Sequence, residues 1–315
     1  RAPVRCTPAS RSQTDFVPSG NSRVYLIDAS IYIFRAWFSV PGSLLNSGGE
    51  PINAVHGFAG FLAGFLSGVR PAHVAVVFDE SLTTSFRNDI YPAYKANRET
   101  APPELERQFD MCRRLVTVLG LASYSSDRYE ADDLIGTLAA RLRPEGFSIE
   151  ILSADKDLAQ LVTDRDILWD YARNRRHACA DIPKLLGVSA GQVADWLALT
   201  GDAVDNIPGV PGIGAKTAAA LLSRFDSLDG VYADLDAVAE SGMRGAVRIS
   251  RLLGEHEATA RLARELTGIA LDPDLNVQVG DVKRRAAVPE EVGAVCKAIG
   301  LGNTTRARLL KAVAV

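Results

Sequence analysis

An α/β fold, with a mostly parallel central sheet followed by a helical half, is what this sequence predicts. Three features predict it. Apolar runs without polar alternation, Val24 to Ile27, Val74 to Phe78 and Ile149 to Leu152, have the character of strands buried on both faces. Between them lie segments with apolar residues at helical spacing, the alternation expected of a parallel sheet with crossover helices. From Asp226 onward the helical period continues and no strand pattern returns. Hydrophobic residues make up 47% of the 315 and charged residues 23%, enough for one large domain or two smaller ones.

Taken in order, residues 1–22 are rich in Ser, Pro and Arg and carry one acid, Asp15. They read as a disordered leader or an expression remnant, with a composition shared by organellar transit peptides. The first strand, Arg23 to Ile27, ends at Asp28, and an apolar and aromatic stretch runs from Ile31 to Phe38. Residues 41–51 form a Gly-, Ser- and Asn-rich loop, and Ala54 to Leu66 a helix with small residues for close packing. The second strand ends at Asp79. Residues 81–103 are polar and lack a period, mixing Arg87, Lys95 and Arg98 with Phe86, Tyr91 and Tyr94. A long stretch of that kind inside a domain is either a solvated insertion or functional. Glu104 to Leu119 is a helix, with Pro103 at its start and Gly120 past its end.

Leu121 to Ser125 is a short strand leading into Tyr129-Glu130-Ala131-Asp132-Asp133, where Leu134, Ile135, Leu138 and Leu142 begin another helical period. The strand Ile149 to Leu152 runs out into Ser153-Ala154-Asp155-Lys156-Asp157. A short helix, Leu158 to Val162, and a strand, Ile167 to Tyr171, follow. Ser189 and Gln192 have capping-box spacing for a helix reaching Thr200. Past it come Asp202 and Asp205, then the glycine-rich Gly209 to Thr217. The expected divisions are a core over 23–180, a helical region over 181–275 and a helical tail over 276–315.

The carboxylates carry the functional inference. In open α/β sheets ligands bind outside the carboxyl ends of the strands. Asp28, Asp79 and Asp155 follow three strand ends, and Glu130 follows a fourth. With Asp132, Asp133, Asp157, Asp202 and Asp205, they imply one acidic pocket built from distant segments. Clustered carboxylates repel one another and call for a hard divalent cation, Mg²⁺ or Mn²⁺. No His or Cys lies near them in the pattern, which argues against a zinc site and against a Ser-His or Cys-His nucleophile. Two ions about 3.5–4 Å apart can hold the attacking and leaving oxygens of a phosphoryl transfer.

The four cysteines show no CxxC spacing, so neither a zinc ribbon nor a disulfide framework is indicated, and a reducing compartment is the default. No apolar run is long enough for a membrane span. The net charge of −3 contains no compact basic run. A nucleic-acid partner therefore needs local positive surface that the acids mask in the total. Gly209 to Thr217 comes close to a phosphate-binding P-loop, but Ala215 separates Gly214 from Lys216 and no strand precedes it. It fits better as a helix–loop–helix whose backbone amides, with Lys216 and Thr217, hold a phosphodiester without reading sequence.

Together these segments resemble the 5′ nuclease family, which comprises the 5′–3′ exonuclease domain of bacterial DNA polymerase I and the flap endonucleases. The motifs are Leu26-Ile27-Asp28-Ala29-Ser30, Val77-Phe78-Asp79, Tyr91-Pro92-Ala93-Tyr94-Lys95-Ala96-Asn97-Arg98, Tyr129 to Asp133, Ala154 to Asp157, Gly201 to Gly209 and Gly212 to Thr217. They spread over about residues 23–270.

The resemblance implies a PIN-like fold and a metal-dependent phosphodiesterase acting on DNA with a 5′ end or 5′ flap beside duplex. It assigns Asp28, Asp79, Glu130, Asp132 and Asp155 to one of two metals. Asp157, Asp202 and Asp205 go to the other, with Asp133 nearby. It makes residues 81–107 a helical arch, with Lys95 and Arg98 beside the scissile phosphate and Arg87, Tyr91 and Tyr94 contacting DNA. It makes Gly209, Gly212, Gly214, Lys216 and Thr217 the grip on duplex, with K⁺ held by loop carbonyls. A monomer in the bacterial cytoplasm at the nucleoid is expected, with organellar import as the other location. Two other readings stay open: a phosphohydrolase with Asp28 as covalent nucleophile, and a DNA-structure binder that does not cut.

Overall fold

The computed structural model describes residues 23–80 and 84–314; the expected leader and the first residues of the expected arch lie outside them. Six strands form one sheet: β1 (Arg23–Asp28), β2 (His73–Val77), β3 (Ala122–Tyr124), β4 (Ser148–Leu152), β5 (Ile167–Asp170) and β6 (Arg175–Ala178). Their order is β3-β2-β1-β4-β5-β6. The first five run parallel, and β6 pairs antiparallel with β5. The sequence pattern missed β6, whose Arg-Arg-His-Ala carries no apolar run.

Alternate residues of β1 serve two cores. Val24 and Leu26 face one layer, Tyr25 and Ile27 the other. A strand buried on both faces has no polar alternation, which is why this run is uninterrupted. The helices that follow are α1 (Ala29–Ser39), α2 (Asn53–Val69), α3 (Phe86–Ile90), α4 (Pro103–Val118) and α5 (Ala131–Leu142). Next come α6 (Ile182–Leu186), α7 (Val193–Thr200), α8 (Ala215–Phe225), α9 (Leu228–Ala233) and α10 (Leu235–Ala239). The last four are α11 (Ala246–Glu255), α12 (Glu257–Thr267), α13 (Pro289–Ile299) and α14 (Asn303–Val313).

One layer holds α1, α2 and α4, and α13 and α14 join it. The segment expected as a tail thus folds back: Val292, Cys296, Ile299 and Leu309 are buried in that core. The opposite layer is built on α5 and merges with α7, α8, α11 and α12. Among the described residues no helix is long and apolar enough to cross a membrane.

Strand order reverses at β1, whose chain continues to β2 on one side while β4 lies on the other. Chain ends diverge there and leave a crevice at the carboxyl edge. Ile27 pairs with Leu152 across it, so Asp28 and Ser153 emerge side by side.

Candidate active site

Asp28 ends β1 and caps α1, one of its carboxylate oxygens accepting from Ile31 N at 3.4 Å. The other accepts from the Ser153 hydroxyl at 2.8 Å, and that same hydroxyl oxygen accepts from Asp155 N at 3.0 Å. Asp155 in turn accepts from Asp157 N at 2.9 Å. Asp79 follows β2, and its Oδ1 accepts from Ala131 N at 2.8 Å, an anion at the amino end of α5 where the helix dipole favours it. The Ser30 hydroxyl accepts from Asp79 N at 3.4 Å, tying α1 to the segment that follows β2. Neither Ser30 nor Ser153 was expected as a site residue. Their signal is a hydroxyl within two residues of a strand-end acid.

Glu130 does not follow a strand directly. It is the amino-terminal cap of α5, six residues beyond the last residue of β3. Asp202 and Asp205 lie on a tight loop after α7, closed by hydrogen bonds in both directions between Asp202 and Ile207 at 2.9 and 2.8 Å. Two glycines pinch its base. A Cβ on Gly209 would lie 2.3 Å from Gly201 N, and a Cβ on Gly201 2.5 Å from Gly209 N. Only bare backbone permits that approach.

The expected arch does not stand away from this site. Among its described residues it is helical over Phe86–Ile90 and again from Pro103, with turns between. The turn segment lies down on the acidic loop. Lys95 N donates to Asp205 O at 3.0 Å, Asn206 Nδ2 to Ala93 O at 2.6 Å and Asn97 Nδ2 to Ala203 O at 3.0 Å. Lys95 Nζ is 2.7 Å from Glu130 Oε2 and 3.8 Å from Asp205 Oδ2, and Arg98 pairs with Asp205 Oδ1.

Tyr94 is 3% exposed, its hydroxyl donating toward Glu130 Oε2 at 3.0 Å and lying 3.3 Å from Asp205 Oδ2. The expectation that it contacts DNA is therefore corrected: its ring is in the core and its hydroxyl serves the acids. Tyr91 is half-buried against the same core.

Arg87 and Asp133 need the same correction. Arg87 is 1% exposed and Asp133 fully buried, and the two form a two-pronged pair at 2.6 and 2.8 Å. Arg87 spends its remaining bonds on Leu266 O and Gly268 O, while Asp133 takes Ala270 N at 2.8 Å. An arginine so enclosed cannot meet DNA, and a carboxylate so saturated has no lone pair directed at a metal. Both brace the site from behind.

The electrostatics are those of buried carboxylates that repel one another. Burial, then the charge of Asp79, pushes Asp28 up to about 7. Burial, then Asp155, Asp202 and Asp205, pushes Asp157 up to about 7. Asp155 and Asp202 are raised by burial first, with Asp205 adding to both. Burial raises Asp132 well above the carboxylate range, with Asp133 adding to it. Glu130 is the exception: burial alone would raise it, but Lys95 and Arg87 outweigh that and hold it low.

Among the described residues no three of these side chains are gathered into a ready-made chelate. Lys95, Arg98 and Tyr94 are interleaved with Glu130 and Asp205, and the remaining acids repel. The donor set still suits a hard divalent cation: it is all oxygen, it is mutually repulsive, and Glu130 Oε1 is buried with no hydrogen-bond partner.

Beyond α7, Gly214 caps α8, and Lys216 in its first turn is exposed. Gly212 and Gly214 are exposed too, so the hairpin presents bare backbone to solvent.

Two family models match the chain: the 5′-3′ exonuclease N-terminal resolvase-like domain over residues 23–184, and the 5′-3′ exonuclease C-terminal SAM fold over residues 188–290. DNA polymerase I of Bacillus caldotenax is 35% identical over 283 residues, covering 88% of this chain and 31% of that protein. DNA polymerase I of Rhizobium leguminosarum is 38% identical over 269 residues, covering 81% and 26%. The chain thus spans about a third or less of the length of these relatives.

A bacteriophage T5 flap endonuclease variant, in a pseudo-enzyme–product complex with DNA and metal ions, superposes with a TM-score of 0.62 at 18% identity. It covers 93% of this chain and 100% of its own. The catalytic core of Rad2 with a DNA substrate gives 0.62 at 14% identity, covering 93% and 94%. Both show the same fold.

Proposed function

The chain belongs to the 5′–3′ exonuclease family, and from that premise we propose that it is a structure-specific 5′ nuclease acting on DNA. It hydrolyses phosphodiesters at 5′ ends and at 5′ flaps beside duplex, using two divalent cations, Mg²⁺ or Mn²⁺. The observation that carries this reading is the convergence at one sheet edge of eight carboxylates from separate segments, with Lys95 and Arg98 reaching in among them.

Asp28, Asp79, Glu130, Asp132 and Asp155 would hold one cation, and Asp157, Asp202 and Asp205 the other. Bound there, the cations supply an activated water at neutral pH and positive charge toward the leaving oxygen. The chain's own groups do the rest. Lys95 is held charged: burial would lower its pKa, but Glu130 and Asp205 outweigh it and raise it. Its ammonium therefore remains available to a phosphate oxygen, as does the Arg98 guanidinium, whose fork suits a phosphate.

Tyr94 keeps Glu130 and Asp205 facing each other, and Ser153 fixes Asp28 against Asp155. Backbone amides at the start of α8, with Lys216 and Thr217, would take the backbone of the adjoining duplex without reading bases. The same reading places K⁺ against the carbonyls of that loop.

The test is cleavage of a 5′-end-labelled flap DNA with Mg²⁺ and with EDTA. Cuts near the junction of single strand and duplex, abolished by EDTA, are the expected result. Tight binding without any cut would replace this reading with a non-catalytic role.

A further inference from the structure

In a chain whose net charge is −3, two of the stretches that contain bases and no acids include or follow the glycine-rich hairpin. Residues 206–225 carry Lys216 and Arg224, and residues 241–254 carry Arg244, Arg248 and Arg251. The fold sets the two side by side. Arg224 Nη1 donates to Ser241 O at 2.6 Å. Arg248 Nη2 lies 3.6 Å, and Leu252 Cδ1 3.3 Å, from the point a Cβ on Gly212 would occupy. Arg248 of α11 therefore flanks the exposed backbone of the hairpin.

Their spacing makes them a surface. Val247, Arg248 and Arg251 are exposed on one stripe of α11, while Ile249 and Leu253 bury the opposite face, and Arg244 is exposed in the turn just before the helix. A shallow depression lined by Gly242, Gly245, Arg248 and Arg251 lies along the helix, and Glu240 also lines it. Arg251 is neutralised by Glu255 at 2.7 Å. The guanidinium groups of Arg244 and Arg248 have no hydrogen-bond or ion-pair partner among the described residues. Unpaired cations beside bare glycine backbone suit a polyanion with regularly repeated charge.

We propose that Arg244 and Arg248 extend the phosphate-binding surface of the Gly209–Thr217 hairpin, so that α11 grips the backbone of duplex DNA beside the stretch held at α8. The surface is sequence-independent, since it offers charge and no groove-entering element. This inference rests on the reading of the hairpin as a duplex grip.

The experiment measures binding of the full chain to short blunt DNA duplexes of two unrelated sequences, in EDTA, across a range of salt. It compares the parent protein with Lys216→Ala, the Arg244→Ala/Arg248→Ala pair, and Arg244→Lys/Arg248→Lys. Each lost phosphate contact should lower the slope of log affinity against log salt by about 0.9. The alanine pair should therefore lose about 1.8 and Lys216→Ala about 0.9, equally on both sequences, with the lysine pair keeping the parent slope. Unchanged melting temperatures confirm that these exposed substitutions leave the fold intact.

A parent slope in the alanine pair, with a reduced slope in Lys216→Ala, overturns the role of α11 and leaves the hairpin reading standing. Parent slopes in both overturn the two together. A loss on one sequence alone overturns phosphate contact in favour of base reading.

Discussion

Arg87 and Asp133 meet inside the protein through two parallel hydrogen bonds, and between them they fasten four segments: α3, the start of α5, the end of α12 and the turn that follows it. Asp133 also accepts from Glu130 N at 3.2 Å, so the pair stands directly behind a candidate metal ligand. Breaking a buried pair leaves one charge uncompensated, which costs about 3–5 kcal/mol. Arg87→Ala should lose that much in urea unfolding and fail to bind metal normally. A loss below about 1 kcal/mol would mean the pair is no brace.

Lys95→Ala should slow the chemical step far more than it weakens duplex binding. A positioned donor facing developing charge is worth about 10²–10³ in rate. Single-turnover cleavage measured beside equilibrium binding separates the two effects. A defect confined to affinity would place Lys95 on the DNA-binding surface instead of at the reacting phosphate.

Much of this site was legible in the sequence because its physics is local. An apolar run that stops at a carboxylate marks a strand end, and Asp28, Asp79 and Asp155 lie where that rule puts them. Arg87, Asp133 and Tyr94 were misread because their surroundings are tertiary. An arginine in a polar stretch has the pattern of surface, and nothing in the neighbouring residues reveals that Leu266 and Gly268 enclose it. The third acid of Glu130-Ala131-Asp132-Asp133 looks like its neighbours until α5 forms and turns it inward. The packing of α13 and α14 on the sheet layer likewise has no local signature.

Gly209→Ala should disturb the loop that carries Asp202 and Asp205, since its Cβ would meet the backbone of Gly201 and Thr200 at 2.3 Å. Overpacking of this kind costs about 1–3 kcal/mol. The expected outcome is a lower melting temperature together with a raised Mg²⁺ requirement for cleavage. Parent behaviour in both would show that the loop can open without consequence.

Stability should depend on pH and on cation together. Asp28 and Asp157 have folded pKa values near 7, above the unfolded value of about 3.9, so the folded state binds more protons between those limits. These two groups therefore cost stability as pH rises from about 4 to 7. In EDTA the melting temperature should be lower at pH 7.5 than at pH 5.5, and added Mg²⁺ should raise it more at the higher pH. An Mg²⁺ effect equal at both would argue that these carboxylates do not face the cation.

The most direct test of the central claim is single-turnover cleavage of a 5′-flap DNA by Asp155→Asn, with DNA binding measured in parallel. Asp155 links the Asp28 side of the pocket to Asp157, and its amide replacement keeps shape while removing charge. The account predicts loss of cleavage with binding retained. Cleavage at the parent rate would contradict it, because the acidic pocket would then not be where the phosphodiester is cut.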